Sequence, residues 1–397
     1  MAGPRDHSPI LGCAVIGCGY WGPNHLRVLS ERLLDETRLS IRKLAVATNH
    51  AQVALPSCEP ISRVELTAVD HDPQRLDWVA EHFPEVRREL DLSAVLDDPR
   101  IDAVVIATPT VTHAEIVSAA LRAGKHVLCE KPLCTQADEA RELVSLAEHV
   151  ERVLMTGHTF LFSPGLQVLK DLIDSGELGE LRHLASIRAN LGPIRSDVGV
   201  VYDLASHDVS IFNWLLGELP ESVAAIGQAW LQPGVEDVAD VHLRYPRGRL
   251  ASLRVSWLDP EKVRQLTVVG SRRMATWNDL VPKNPLAVFD RGARLTQERS
   301  RSRHFKAVTW DGEVRLPQIP AVEPLRAQDA SFLRAVQTGH VEQSDGPFSA
   351  DVVSVLSAIC ESLRQGGACA PVIPRGDRSI AQQRDGKSRP RASKSRS

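Results

Sequence analysis

Apolar and polar positions change their period once along this chain, near residue 157, and the change divides it into two parts. In the first part short apolar runs alternate with stretches of helical spacing. Leu11 to Ile16 is one such run, followed by a glycine-rich turn and a helical stretch from Pro23 to about Leu34. Val64 to Val69 is a second, ended by Asp70; Asp72 and Pro73 then suit the cap and first turn of a helix reaching about His82. Ile101 to Ala107 reads as a strand buried on both faces, His113 to Ala123 as a helix stopped by Gly124, and Lys125 to Cys129 as another strand. Thr135 and Asp138 fit a capping box for the next helix, and a last short strand falls near Arg152 to Thr156. Strands alternating with helices at this spacing predict a doubly wound parallel sheet.

Beyond residue 157 the alternation stops. Ser163-Pro164 opens a helix ending at Gly176, residues 181–190 alternate as a strand, and a helix runs from about Tyr202 to Leu216. Four or five strand-like runs then follow one another between Ser222 and Phe289, which predicts an open, mostly antiparallel sheet. Apolar helices near Leu325 to Thr338 and Ala350 to Leu363 return to close it. The fold expected is α/β: a Rossmann-like dinucleotide-binding domain over 1–156, a substrate-binding and oligomerisation domain of α+β type over 157–374, and a tail at 375–397. Residues 35–62 read as an insertion before the second strand. They contain another strand-like run, Leu44 to Asn49, so a register with Thr48 and Asn49 in place of Asp70 stays open.

Composition narrows the function classes. The 397 residues are 43% hydrophobic and 24% charged, an ordinary globular balance in a chain longer than one core usually organises. No apolar run suits a membrane span and the first residues lack a secretory signal, so a cytoplasmic protein without a membrane partner is expected. The seven cysteines form no C-x-x-C pair or Cys/His cluster, which predicts reduced thiols and no metal. Residues 375–397 hold eight Lys/Arg against two Asp/Glu, so the excess of positive charge sits on a tail expected to be disordered. A nucleic-acid-binding protein would carry it on the folded body.

The motifs carry the chemistry. In Gly17-Cys18-Gly19-Tyr20-Trp21-Gly22 the first glycine makes a tight turn, the second admits a pyrophosphate close to backbone, and the third lets the helix pack against the strand. Asp70, at the end of the second strand, is placed to accept ribose hydroxyls. Its carboxylate repels a 2′-phosphate and no Arg follows at once, which favours NAD over NADP. Tyr20, Trp21, Thr108, Pro109, His113, Glu130 and Lys131 complete the expected cofactor contacts. Lys131 ends a parallel strand on the edge where such sheets bind ligands, and its ammonium suits donation to a reacting oxygen. Asp203 and His207, four apart, share one face of a helix, with His207 as proton acceptor and Asp203 orienting the imidazole and raising its pKa. His158, Asn190 and Arg195, with Lys131, Asp203 and His207, are the expected substrate contacts. Plainer roles stay open: a hinge histidine for His158, a surface pair with Asp197 for Arg195, a solvated turn for Lys131, a helix cap for Asp203.

Gly17-x-Gly19-x-x-Gly22, Glu130-Lys131-Pro132 and Asp203-x-x-x-His207 together resemble the glucose-fructose oxidoreductase/inositol dehydrogenase (Gfo/Idh/MocA) family, over all but residues 35–62 and the tail. Residues 157–160, 190–197 and 202–208 look like its nucleotide-sugar dehydrogenase branch, whose members often carry Asn where this chain has Gly199 and Trp where it has Tyr202. The resemblance implies hydride transfer between NAD(P) and a secondary hydroxyl of a sugar, nucleotide-linked sugar or cyclitol. It also implies active-site roles for Lys131, Asp203 and His207, and a homodimer or homotetramer built on the open sheet. An NAD-dependent glycosidase and a non-catalytic cofactor-binding regulator are the alternatives.

Overall fold

The computed structural model describes residues 10–31, 63–295 and 307–374. Two sheets organise these residues. The first contains β1 (Ile10–Ile16), β2 (Arg63–Val69), β3 (Arg87–Glu89), β4 (Ala103–Ile106), β5 (His126–Glu130) and β6 (Leu154–Gly157), all parallel, in the order β3-β2-β1-β4-β5-β6. The order reverses between β1 and β4, and that reversal opens a crevice at the carboxyl ends of the strands. Helices α1 (Gly22–Ser30), α2 (Pro73–His82), α3 (Leu92–Leu96), α4 (His113–Arg122) and α5 (Ala137–His149) are the crossovers. The central strands are buried on both faces, so β4 reads Ala-Val-Val-Ile without alternation.

Local signals act as the residue types require. Asp72 caps α2 by accepting from the Gln74 N–H at 3.0 Å. Gly124, at φ +76°, ends the turn after α4. Thr135 does not cap α5: the N-cap is Gln136, with no side-chain bond, because the chain stays extended one residue longer. β2 pairs with β1 from Arg63 to Val69, which seats Asp70 beside the glycine turn. The expected insertion at 35–62, with the run Leu44 to Asn49, lies wholly outside the described residues, as does the basic tail from residue 375.

After α6 (Pro164–Asp174) and β7 (Leu181–Leu191) comes α7 (Ser206–Leu216). The second sheet then adds β8 (Ser222–Gln228), β9 (Val238–Arg244), β10 (Leu250–Ser256), β11 (Leu258–Gly270), β12 (Met274–Asn278), β13 (Leu286–Leu295) and β14 (Ala307–Arg315). It closes after α8 (Pro324–Thr338) and α9 (Gly346–Arg364) with β15 (Ala370–Pro371). Its order is β14-β13-β12-β11-β7-β10-β9-β8-β15; the pairs are antiparallel except β7 with β10. Alternation is clean in β9, where Ala239, Val241 and Leu243 are buried and their neighbours are not. The last helix, α9, packs on α5 and β6 of the first sheet and on α7 and β8 of the second, joining the two. Among the described residues no helix is long and apolar enough to cross a membrane.

Candidate active site

The glycine turn leaves β1 with its backbone pinned. The Gly17 N–H donates to the Val69 carbonyl at 2.8 Å, and the Cys18 N–H donates to Asp70 Oδ2 at 2.7 Å. Gly17 has φ +92° and a Cβ there would lie 2.8 Å from the Ala107 carbonyl oxygen; a Cβ on Gly22 would lie 1.9 Å from the Gly17 oxygen. Only glycine fits either position. The turn sets the start of α1 beside the end of β1, the arrangement of a dinucleotide pyrophosphate site. Tyr20 stands 90% exposed in the turn. Asp70 also accepts from the Asp72 N–H, and Arg75 reaches its Oδ2 at 3.3 Å from within α2. No arginine follows Asp70 at once in sequence, but one helical turn brings Arg75 to the carboxylate, so the acid does not face the ribose site alone.

Two expected cofactor contacts are turned inward. His113 is 1% exposed; its ring nitrogens lie 2.8 and 3.0 Å from the Pro132 and Thr108 carbonyls, and its single N–H in the neutral form donates to one of them, setting the turn after β4 against the Glu130-Lys131-Pro132 turn. Burial holds its pKa below the usual histidine value. Glu130 gives Oε2 to the Lys131 N–H and Oε1 to both Trp21 Nε1 at 2.5 Å and His25 Nε2 at 3.0 Å. The other nitrogen of His25 meets Asp329 of α8 at 3.0 Å. His25 and Asp329 are fully buried, and neither was singled out by sequence. Burial opposes charge on His25, yet Asp329 and Glu130 outweigh it and raise its pKa to about 10, so an imidazolium clamps α1, the Lys131 turn and α8 together.

Lys131 and His158 lie side by side, since Glu130 of β5 pairs with Gly157 of β6. Lys131 Nζ donates to the Asp203 carbonyl at 2.9 Å and lies 3.5 Å from Asp203 Oδ1. Burial lowers its pKa from the ordinary lysine value, against the pull of Asp203 and Glu130. The segment carrying Asp203 is not regular α-helix. Val201–Ala205 form a π-helical turn before α7, so Asp203 and His207 do not stand as a simple four-residue pair. Tyr202 anchors this turn by donating to the Thr135 carbonyl at 2.7 Å, and Gly199 lets Glu236 approach where a Cβ would meet its Oε2 at 2.9 Å.

The Asp203 carboxylate therefore does not orient His207. Its Oδ2 accepts from the Trp257 indole at 3.0 Å, and its Oδ1 accepts from Arg195 Nη1 at 3.3 Å beside the lysine. His207 instead stands edge-on to Phe160, with ring centroids 4.9 Å apart, and its Nδ1 is buried without a partner. Its pKa lies well below 6.5, not above: burial is the main cause, and Lys131, Arg188, Arg264 and His158 add to it. Arg188 is buried, paired with Asp208 at 2.7 Å and stacked 4.5 Å from the Phe160 centroid. His158 is 1% exposed with both nitrogens unpartnered, and burial lowers its pKa to about 3. Asn190 donates to the Gly192 carbonyl, and Arg195 spans the cleft to Thr110. Trp257 and Arg188 carried no sequence signal, and Phe160 and Thr110 were read only as parts of a motif and a turn, since nothing local marks a residue that matters through a distant partner.

Comparison with known proteins bears on the whole arrangement. Residues 11–158 match a family described as oxidoreductase, NAD-binding Rossmann fold, and residues 166–276 match the GFO/IDH/MocA C-terminal domain. UDP-N-acetylglucosamine 3-dehydrogenase of Acidithiobacillus ferrooxidans is 32% identical over 224 residues, 55% of this chain and 69% of that protein. Inositol 2-dehydrogenase of Mycolicibacterium smegmatis is 27% identical over 365 residues, 90% of this chain and 94% of that one. Among solved structures, levoglucosan dehydrogenase in complex with NADH shares the fold with a TM-score of 0.71 at 21% identity, covering 92% of this chain and 100% of that one.

Proposed function

The chain belongs to the GFO/IDH/MocA family of oxidoreductases with an NAD-binding Rossmann fold, and from that premise we propose that it oxidises, reversibly, a secondary hydroxyl of a sugar or cyclitol, a nucleotide-linked sugar first among them. The observation that supports this reading is that Lys131, just past the carboxyl end of β5, bonds Asp203 and lies near enough to His207 to help depress its pKa. Gly17, Gly19, Tyr20, Trp21, Gly22, Asp70, Thr108 and Pro109 would hold NAD, which would supply the acceptor for the hydride. Asp70 favours it over NADP.

His207 takes the hydroxyl proton. Burial and the surrounding cations keep its imidazole neutral at working pH, which leaves a lone pair available for that proton. Lys131, held by the Asp203 carbonyl, donates to the reacting oxygen and stabilises the negative charge that develops there. Asp203 keeps the ammonium in place and is itself fixed by Trp257. Asn190 meets the sugar hydroxyls, while His158 acts through Lys131. Glu130 and His113 serve as braces of the Lys131 turn.

The deciding experiment offers free sugars, inositols and nucleotide sugars in turn, each with NAD and NADP, and follows reduced nicotinamide by absorbance. Reduction with one substrate class supports the reading; none with any polyol by a protein that binds NAD overturns it, and release of an aglycone without net reduction selects glycoside cleavage. The same reading includes a homodimer or homotetramer through the outer face of the second sheet, where Ile187, Ile226 and Leu250 are exposed. Light scattering that shows a clean monomer at micromolar concentration removes that part.

A further inference from the structure

Arg195 lies in the segment between β7 and the π-helical turn, and it is tied down at every side. Nε and Nη2 donate to the two oxygens of Asp197 at 2.8 and 2.6 Å, Nη2 also donates to Thr110 Oγ1 at 3.2 Å, and Nη1 donates to Asp203 Oδ1 at 3.3 Å. Its carbonyl accepts from Gln232 Nε2 at 2.9 Å. Those four bonds use four of the five N–H donors of a guanidinium. An arginine that recognises substrate needs its fork open; this one has spent it on the protein. Thr110 belongs to the turn after β4, on the cofactor side of the cleft, so the side chain joins the two walls of the site.

We propose that Arg195 is a positioning residue for the reaction: it divides the Asp203 carboxylate with Lys131, fastens that carboxylate to the Thr110 turn, and so leaves the lysine ammonium only partly neutralised and free to serve the reacting oxygen. The inference rests on the dehydrogenase reading and extends it. One oxygen, Asp203 Oδ1, lies 3.3 Å from Arg195 Nη1 and 3.5 Å from Lys131 Nζ, while Trp257 holds the other. Neither cation owns the charge. The groups facing Lys131 are Glu130 on its own strand, Asp203 and Arg195 from the segment before α7, His158 at the end of β6, and His207 in α7. Burial lowers the proton affinity of Lys131 and Arg195 acts in the same sense, whereas Asp203 and Glu130 oppose them. Removing the arginine charge releases Oδ1 to the lysine, which then holds its proton more tightly.

The test compares Arg195→Gln and Arg195→Lys with wild type in pH profiles of kcat and kcat/KM; Lys131→Met identifies the limb that belongs to the lysine. In Arg195→Gln that limb moves up by about one pH unit or more, the effect of a single cation at this range, with substrate KM little changed. Arg195→Lys restores the charge and returns the limb toward wild type. A limb that stays in place while KM rises makes Arg195 a substrate contact and overturns the proposal; a loss of thermal stability with no shift makes it a strut and does the same. A second readout needs no turnover: the pH dependence of Lys131 labelling by an amine-directed reagent, mapped by mass spectrometry on the cofactor-free protein. An upward shift there in Arg195→Gln supports the proposal even if every alcohol in the panel fails, and an unchanged midpoint refutes it whether or not the dehydrogenase reading stands.

Discussion

Replacing His25 by Leu removes the cation from a buried cluster and leaves Asp329 and Glu130 facing the space it occupied. Both His25 and the Asp329 side chain are fully buried, and the Glu130 side chain is 11% exposed, so water cannot replace the lost partner. Breaking a buried ion pair from one side costs about 3–5 kcal/mol. The pH dependence has a definite sign. A histidine whose folded pKa is raised contributes its full stabilisation below about 6.5, and loses it as pH rises through about 10. The stability gap between wild type and His25→Leu is therefore widest at or below neutrality and narrows steadily between pH 7 and 10. Urea unfolding followed by tryptophan fluorescence at several pH values measures it. Asp329→Asn in the His25→Leu background recovers part of the loss, because one buried charge goes with it. A gap under about 1 kcal/mol at pH 7, or one flat from pH 7 to 10, would show that His25 is neutral and that the clamp is not ionic.

Further expectations concern the cofactor and the chemistry. Asp70→Ser lowers NAD affinity and frees Arg75, so the ratio of kcat/KM for NAD over NADP falls about tenfold, one cation being enough for such a change; an unchanged ratio separates Asp70 from cofactor choice. His207→Asn lowers turnover by about 10² to 10⁴ with NAD binding little altered, and near-wild-type turnover removes His207 from the reaction. Gly22→Ala forces a Cβ to 1.9 Å from the Gly17 oxygen, where backbone cannot yield, so calorimetry detects no NAD binding; a normal titration contradicts this role of the glycine turn.

What could be read from sequence was what short stretches of chain decide for themselves. The glycine turn, Asp72-Pro73 at the start of α2, Gly124 after α4, and unbroken apolar runs against alternating ones all encode backbone geometry within a few residues. They are sufficient for two sheets of different kind, for Asp70 beside the glycine turn, and for Lys131 at the carboxyl edge of β5. The register of β2 depended on them too, and the pairing with β1 agrees with the choice of Asp70 over Asn49.

The partners of the site's charged groups were decided elsewhere. Four-residue spacing implies that Asp203 faces His207, but a π-helical turn and the arrival of Trp257, 54 positions on, give its carboxylate other donors. His25 and Asp329 meet across 304 positions, and His207 sits among cations from β5, β7 and β11 that its own helix does not foreshadow. Spacing along a chain specifies which side chains share a face. Only packing specifies what is pressed against that face, how much water is excluded there, and so which charges survive and what protons they hold.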